Sequence, residues 1–349
     1  MSTPRPATPP TELPAEVAVP DPMAIADQDK LSSDERRYIG AARAANTVRG
    51  YRSDWTEFTT WCAQQGLDPL PAAPRTVSGY LTLLAGHGAK VGTMSRRLSA
   101  IKFVHKLQNH PDPTANALVV GVWEGIRRHH TTDPDQARPL MPPQLWDVLA
   151  TFPTQRTWKT PSRPPESDLA GARNRAMLLV GFVAALRRSE IVGIDVEHIA
   201  DHDRGIVVQL SRSKTNQRGD TTELVVLPRA TNTARCPVTA LQTWLQLAAI
   251  TDGPVFRAVS KGNRALNRRL APAAVNDIVQ TAVAAAGIDQ PEQYSAHSLR
   301  AGFVTYAHTR GATDHAIAHQ TRHRSLTSVG TYIRTDTAWD DNAATQLGL

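Results

Sequence analysis

The sequence predicts a mainly α-helical protein with one small β-sheet, divided into an N-terminal helical domain and a larger second domain. Three observations carry this. Apolar residues recur at steps of three and four along most of the chain. Only two β-rich runs stand out, GIVVQL at 205–210 and TELVVL at 222–227, joined by a polar, basic stretch. The segment 131–142 (TTDPDQARPLMP) is polar, proline-punctuated and aperiodic, as a linker is. A length of 349 residues also suits two domains.

Residues 1–30 are rich in Pro, Ala and acids and read as a disordered tail. Residues 31–130 form the helical domain. Asn46 is the expected N-cap of a first helix with Val48, Tyr51, Trp55, Phe58 and Trp61 on one face, closed by Gly66. A second helix starts near Pro74 and runs through Val77, Leu81 and Leu84. Thr93 is the expected cap of a third, with Met94, Leu98, Ile101 and Val104 inward. A fourth, about 116–128, carries Val119, Trp123 and Ile126. After the linker, residues 143–349 make the second domain. A helix starts between Pro142 and Leu149, and 153–168 is a Pro-rich loop. Asp168 caps an apolar helix through Met177, Leu178, Val180 and Val183, and a short helix follows from Ser189. Beyond the hairpin, helices are expected near 237–249, 272–286, 298–310 and 314–320, with a last segment near 326–332.

Composition excludes several classes. Hydrophobic residues make up 41%, so the chain is globular. No apolar run approaches the ~20 residues that cross a bilayer. The N-terminus has no charged-then-apolar leader, and the two cysteines, Cys62 and Cys236, exclude a disulfide framework; both suit a cytoplasmic protein. Thirty-nine Lys and Arg against thirty-two Asp and Glu leave a formal charge of +7. The tail to residue 30 is net acidic, so the excess lies in both folded regions, as expected of a protein that holds nucleic acid with two lobes.

Five features of the second domain carry chemistry. Leu186-Arg187-Arg188-Ser189-Glu190 stands at a break between helices, with Ser189 as a natural N-cap. Lys214 lies in the hairpin connection. His297 and Arg300 open a helix and share one face. His323 follows, and Tyr332 comes nine residues later. Each alone has an ordinary reading as a surface charge, a cap or packing. In this order, the set resembles the active site of the tyrosine recombinases, the phage integrase family. The family's first arginine has a Leu-Arg-x-Ser-Glu context, its lysine sits on a β-hairpin, and its His-x-Leu-Arg box matches 297–300. The later separations of 23 and 9 residues match too. One departure stands out: Arg322 occupies the place where the family usually has Gly before the late His. The resemblance covers about 170–335 and extends more loosely to 45–130, which look like the family's helical core-binding (SAM-like) domain.

The resemblance implies an α+β catalytic domain that cuts and rejoins DNA through a 3′-phosphotyrosine at Tyr332, without metal, ATP or another cofactor. The residue types suit that chemistry. A phenol with pKa ~10 needs help to attack. Arg187 and Arg300 present permanently charged forks to the non-bridging oxygens. His323 can donate to the same phosphate. His297 either accepts the phenolic proton or bonds the phosphate. Lys214 is the candidate acid for the leaving 5′ oxygen, and Glu190 orients a basic residue. Arg96, Arg97, Lys102 and Lys106 of the third helix are either a solvated charged face or candidate DNA contacts, and Arg127 and Arg128 are candidates too; loss of Arg96 or Arg97 is expected to weaken binding to all DNA sequences alike.

Partners implied by the resemblance are a double-stranded recombination site and further copies of the chain, as a tetramer on DNA closing two lobes around the duplex. Such an enzyme would belong to a mobile genetic element or a similar integration system. Residues 335–349, with Trp339, Leu347 and Leu349, are either a tail that docks on a neighbouring protomer or a frayed end. Target sequence and accessory proteins are not written in the chain. Rival readings are a type IB topoisomerase-like enzyme and a non-catalytic DNA-binding regulator on the same fold. His315, His319 and His323, spaced four apart, would share a face of one continuous helix and raise a zinc alternative; the Arg-rich turn after His319 argues against it, and no metal site is expected.

Overall fold

A computed structural model describes residues 30–130, 137–158, 164–210 and 223–322. The N-terminal tail, the hairpin connection with Lys214, and His323, Tyr332 and the C-terminal tail lie outside the described residues. The chain divides into two compact units, Met1–Pro134 and Asp135–Leu349.

The first unit is helical. Its elements are α1 (Ser33–Ala41), α2 (Ala45–Gln65), α3 (Pro74–Gly86), α4 (Val91–Leu107) and α5 (Ala117–His129). The expected apolar stripes form its core: Trp55 and Phe58 of α2, Val77, Tyr80 and Leu81 of α3, Met94, Ile101 and Val104 of α4, and Val119 of α5. Helix α1 was not expected. Ser32 caps it, exchanging hydrogen bonds with Glu35 in a reciprocal box. Two expected caps are corrected. α2 and α4 begin after Ala44 and Lys90, without side-chain caps, so Asn46 and Thr93 fall inside the first turn. The Asn46 carboxamide oxygen accepts instead from Arg49 Nη1 at 2.9 Å. At α5 the cap is Asn116, whose side chain accepts from the Leu118 N–H.

The second unit contains α6 (Gln144–Ala150), β1 (Gln155–Arg156), β2 (Glu166–Ser167), α7 (Leu169–Val183), α8 (Arg188–Gly193), β3 (Ile199–His202), β4 (Gly205–Leu210), β5 (Glu223–Pro228), α9 (Pro237–Leu247), β6 (Arg257–Val259), β7 (Ala265–Arg269), α10 (Pro272–Ala285), α11 (Ala296–Thr309) and α12 (Asp314–Thr321). The single two-stranded sheet expected from sequence is one part of three small antiparallel sheets, β1–β2, β3–β4–β5 and β6–β7. In the central sheet Val207 faces Val226 and Leu210 faces Glu223. The pleat turns Ile206, Val208, Val225 and Leu227 into the core and leaves Leu224 and Val226 exposed.

Helix α7 is the axis of this unit. It packs against α9 and α11, and Met177, Leu178, Leu179 and Val180 are fully buried. At its end the chain turns sharply through Ala185, which has φ 48°. A side chain is costly in that left-handed region, and such positions cluster at functional sites. Helix α11 crosses the segment ending in Leu140, whose N–H donates to the Ser298 carbonyl at 2.9 Å. Gly302 makes the crossing possible, because a Cβ there would drive into the Leu140 carbonyl. Gly302→Ala is expected to cost the second unit roughly 1–3 kcal/mol, as overpacking does. Its thermal midpoint against wild type checks this; an unchanged midpoint would show that the crossing yields.

Candidate active site

Four sequence elements meet where α7 ends. The first correction concerns α8. Its N-cap is Arg187, not Ser189. Glu190, at the third helical position, reaches back, and its Oε2 accepts the Arg187 backbone N–H at 2.9 Å. This is the carboxylate half of a capping box. Glu190 Oε1 accepts from Arg187 Nη1 at 2.7 Å, so one carboxylate holds both backbone and guanidinium of the same arginine. Glu190 is only 3% exposed.

Arg300 enters from α11. The helix is capped by Ser295, whose Oγ accepts the His297 N–H at 3.2 Å. His297 stands exposed on the first turn, while Arg300, one turn later, is 1% exposed. The spacing places both on one face, but their surroundings differ sharply. Arg300 Nη1 donates to the Ala185 carbonyl at 2.7 Å and Nη2 to the Thr321 carbonyl at 2.6 Å. Its fork therefore ties the strained turn before Arg187 to the end of α12.

Helix α12 delivers the remaining groups. Thr313 caps it, and Arg322 ends it in the left-handed region at φ 58°. Gln320 Nε2 donates to the Val183 carbonyl at 2.9 Å and the Val226 carbonyl at 3.2 Å, joining α12 to the end of α7 and to β5. Arg322 Nη2 donates to Glu190 Oε2 at 2.7 Å, and its Nε lies 3.3 Å from Glu223 Oε2 at the base of the β4–β5 hairpin. Three guanidinium groups and two carboxylates thus surround one junction, a net positive site suited to an anion. Sequence reasoning noted Arg322 only as a departure and missed Gln320 and Glu223. Gln320 bonds backbone carbonyls, which leave no mark in a sequence. Arg322 closes α12 in the left-handed region after Thr321; His315 and His319 lie on this helix, and His323 lies outside the described residues.

Burial pushes the Glu190 carboxyl up, but the Arg322 charge, the Arg187 backbone N–H and the Arg187 guanidinium outweigh it and hold the group below the usual carboxylate range. A depressed folded-state value stabilises above the unfolded-state value, and that stabilisation is lost as pH falls through the folded value. Acidification below pH ~4 is therefore expected to lower the thermal midpoint of wild type more steeply than that of Glu190→Gln. Parallel profiles would show that Glu190 contributes nothing to acid lability.

The candidate DNA contacts of the first unit divide into two groups. Arg97, with a side chain 16% exposed, bonds the Tyr80 hydroxyl at 2.9 Å and pairs with Glu57 and the buried Asp54. Arg96 reaches the same Asp54 carboxylate at 2.9 Å but remains half exposed. Lys102 pairs with Asp112 at 3.2 Å. Arg97 thus joins α4 to α2 and α3, and its loss would be felt in packing as well as at any ligand. Lys106, Arg127 and Arg128 are exposed.

The fold and this junction define a mostly helical protein with a cationic site at the root of a β-hairpin. Residues 160–338 match the phage integrase family, and residues 37–108 match the N-terminal SAM-like domain of phage integrases. An integrase/recombinase xerD homolog of Selenomonas ruminantium is 32% identical over 326 residues, covering 93% of this chain and 91% of that protein. Tyrosine recombinase XerC of Pseudomonas entomophila is 28% identical, over 65% of this chain and 67% of its own. Among solved structures, the XerH site-specific recombinase bound to palindromic difH substrate, a post-cleavage complex, superposes with a TM-score of 0.58 at 15% identity, covering 86% of this chain and 78% of that one. A lambda integrase tetramer bound to a Holliday junction gives 0.53 at 14%, covering 86% and 75%. The chain belongs to the phage integrase family, and it is an enzyme of the tyrosine recombinase class. No helix among the described residues is long and apolar enough to cross a membrane.

Proposed function

We propose that this protein is a site-specific DNA recombinase that exchanges strands through a 3′-phosphotyrosine at Tyr332, acting as an assembly of several copies on a duplex recombination site. The observation that carries this is the convergence of Arg187 and Arg300 on the α7–α8 turn, at the point where the chain leaves Arg322 toward His323 and Tyr332. DNA-bound XerH and the lambda integrase tetramer on a Holliday junction support both the substrate and the assembly.

In this reading the Tyr332 hydroxyl attacks phosphorus, its proton leaves to base or water, and the P–O5′ bond breaks. The pentacoordinate species gains negative charge, which the two guanidinium forks and the His323 donor offset. His297, exposed on the first turn of α11, takes the phenolic proton or bonds a phosphate oxygen. Lys214 protonates the 5′ oxygen. Its connection springs from Leu210 and Glu223, and Glu223 lies against Arg322, so the hairpin is rooted at the site. A 5′-hydroxyl from another strand then attacks the phosphotyrosine and restores the phosphodiester. Each P–O bond broken is matched by one formed, so the scheme draws on no nucleotide hydrolysis, and the arginine charges stand where a metal ion would.

The test is to incubate the protein with nicked duplex carrying its recombination site. A denaturant-resistant protein–DNA adduct on the 3′ phosphate, with release of a free 5′-hydroxyl, is expected. DNA bound without an adduct would instead indicate a regulator on this fold. An adduct that only religates its own strand and relaxes supercoils would indicate a topoisomerase.

A further inference from the structure

We propose that Arg322 is a positioning residue for strand cleavage: held between Glu190 and Glu223, it fixes the Glu190 carboxylate against Arg187 and so sets the guanidinium that meets the phosphate. The inference rests on the recombinase reading of the site. Arg322 sits at φ 58°, ψ 41°, a conformation glycine adopts freely and a side chain does not. An arginine there disfavours the backbone unless its side chain compensates.

The side chain does so by folding inward. It is 7% exposed. Nη1 donates to the Gln320 carbonyl at 3.0 Å and the Ala184 carbonyl at 3.3 Å, and Nη2 to Glu190 Oε2 at 2.7 Å. Nε faces Glu223 at 3.3 Å. Nη2 meets the same carboxylate oxygen that accepts the Arg187 N–H, so Arg322 acts through Glu190. The consequence falls on Arg187. Glu190 Oε2 is shared by the Arg187 N–H and Arg322, while Oε1 holds Arg187 Nη1. With both oxygens fixed, Arg187 is pinned by one terminal nitrogen. Among the described residues its Nε and Nη2 make no hydrogen bond, and these are the donors assigned to the phosphate. Without Arg322 the carboxylate is held by Arg187 alone, through its N–H and Nη1, and Oε2 can shift toward a second guanidinium donor. Glu223 offsets the added cation, so the third arginine joins the junction without simply repelling the other two.

Arg322→Gly relieves the backbone and removes the guanidinium, so folding is favoured locally while positioning is lost. On the nicked duplex, DNA affinity within about twofold of wild type and single-turnover cleavage about 10- to 100-fold slower are expected, the range seen when a supporting partner is removed. Arg322→Lys restores part of the rate. In a Glu190→Gln background the Arg322→Gly loss does not multiply, because both variants break one linkage. A second readout needs no DNA. The Glu190 carboxyl, followed by carbon-detected NMR, titrates higher in Arg322→Gly than in wild type. Wild-type cleavage by Arg322→Gly, a fully multiplicative double variant, or an unmoved Glu190 titration each overturns the proposal. Absence of adduct with the wild-type protein overturns the recombinase reading instead, and the titration still decides the Arg322–Glu190 linkage.

Discussion

Replacing Arg300 with lysine is expected to leave a folded, DNA-binding protein whose strand cleavage falls about 10²- to 10³-fold, the loss that follows removal of a transition-state donor. The geometry explains why the conservative change is severe. The guanidinium fork spans two carbonyls on different elements, Ala185 before α8 and Thr321 at the end of α12. An ammonium is a point charge, able to bond either carbonyl and a phosphate oxygen but unable to hold the fork's plane. Binding survives because the charge survives. Arg300→Ala removes the charge, leaves two buried carbonyls without their donors and opens a cavity, so a further stability loss of about 2–5 kcal/mol is expected. Thermal midpoints together with single-turnover cleavage separate the two effects. If Arg300→Lys cleaves at the wild-type rate, Arg300 is a structural strut and the phosphate cradle lies elsewhere.

Much of the fold was legible because it rests on local periodicity. The stripe Trp55, Phe58 and Trp61 and the Pro74 start of α3 are read directly from spacing, as are the buried residues of α7. What was not legible has nonlocal or backbone causes. Ala44 and Lys90 cap helices with no side-chain bond, so the sequence favoured the nearby Asn46 and Thr93. Strand β3 is IADH, exposed along most of its length, and it exists because β4 offers it an edge. The site divides in the same way. Arg187, Glu190, His297 and Arg300 are singled out by a motif order that has meaning in one family, and Arg187, Glu190 and Arg300 meet at the α7–α8 turn. The Arg322–Glu190 bond joins residues 132 positions apart and appears only after folding. The motif also hid a contrast: two residues three apart on α11 differ from exposed to fully buried.

Tyr332→Phe is expected to abolish the covalent complex, a loss of at least about 10⁴-fold for a deleted nucleophile, while leaving DNA affinity within about twofold of wild type. The substitution removes one oxygen and keeps the ring, so the effect reads the chemistry of the hydroxyl. The chain also constrains which site the tyrosine serves. Arg322 is itself bonded within the junction, and Tyr332 follows ten residues later. Ten residues span at most about 35 Å fully extended, a length that allows the hydroxyl to reach its own Arg187 and Arg300. At so short a tether the effective concentration of a protomer's own tyrosine exceeds that of any free copy. A mixture of Tyr332→Phe and Arg300→Lys proteins is therefore expected to remain as inactive as either alone, since each assembled site lacks a nucleophile or a fork. Adduct formation restored by mixing would place each tyrosine in a neighbour's site, and the segment after Arg322 would then be an exchanged arm rather than part of its own catalytic centre.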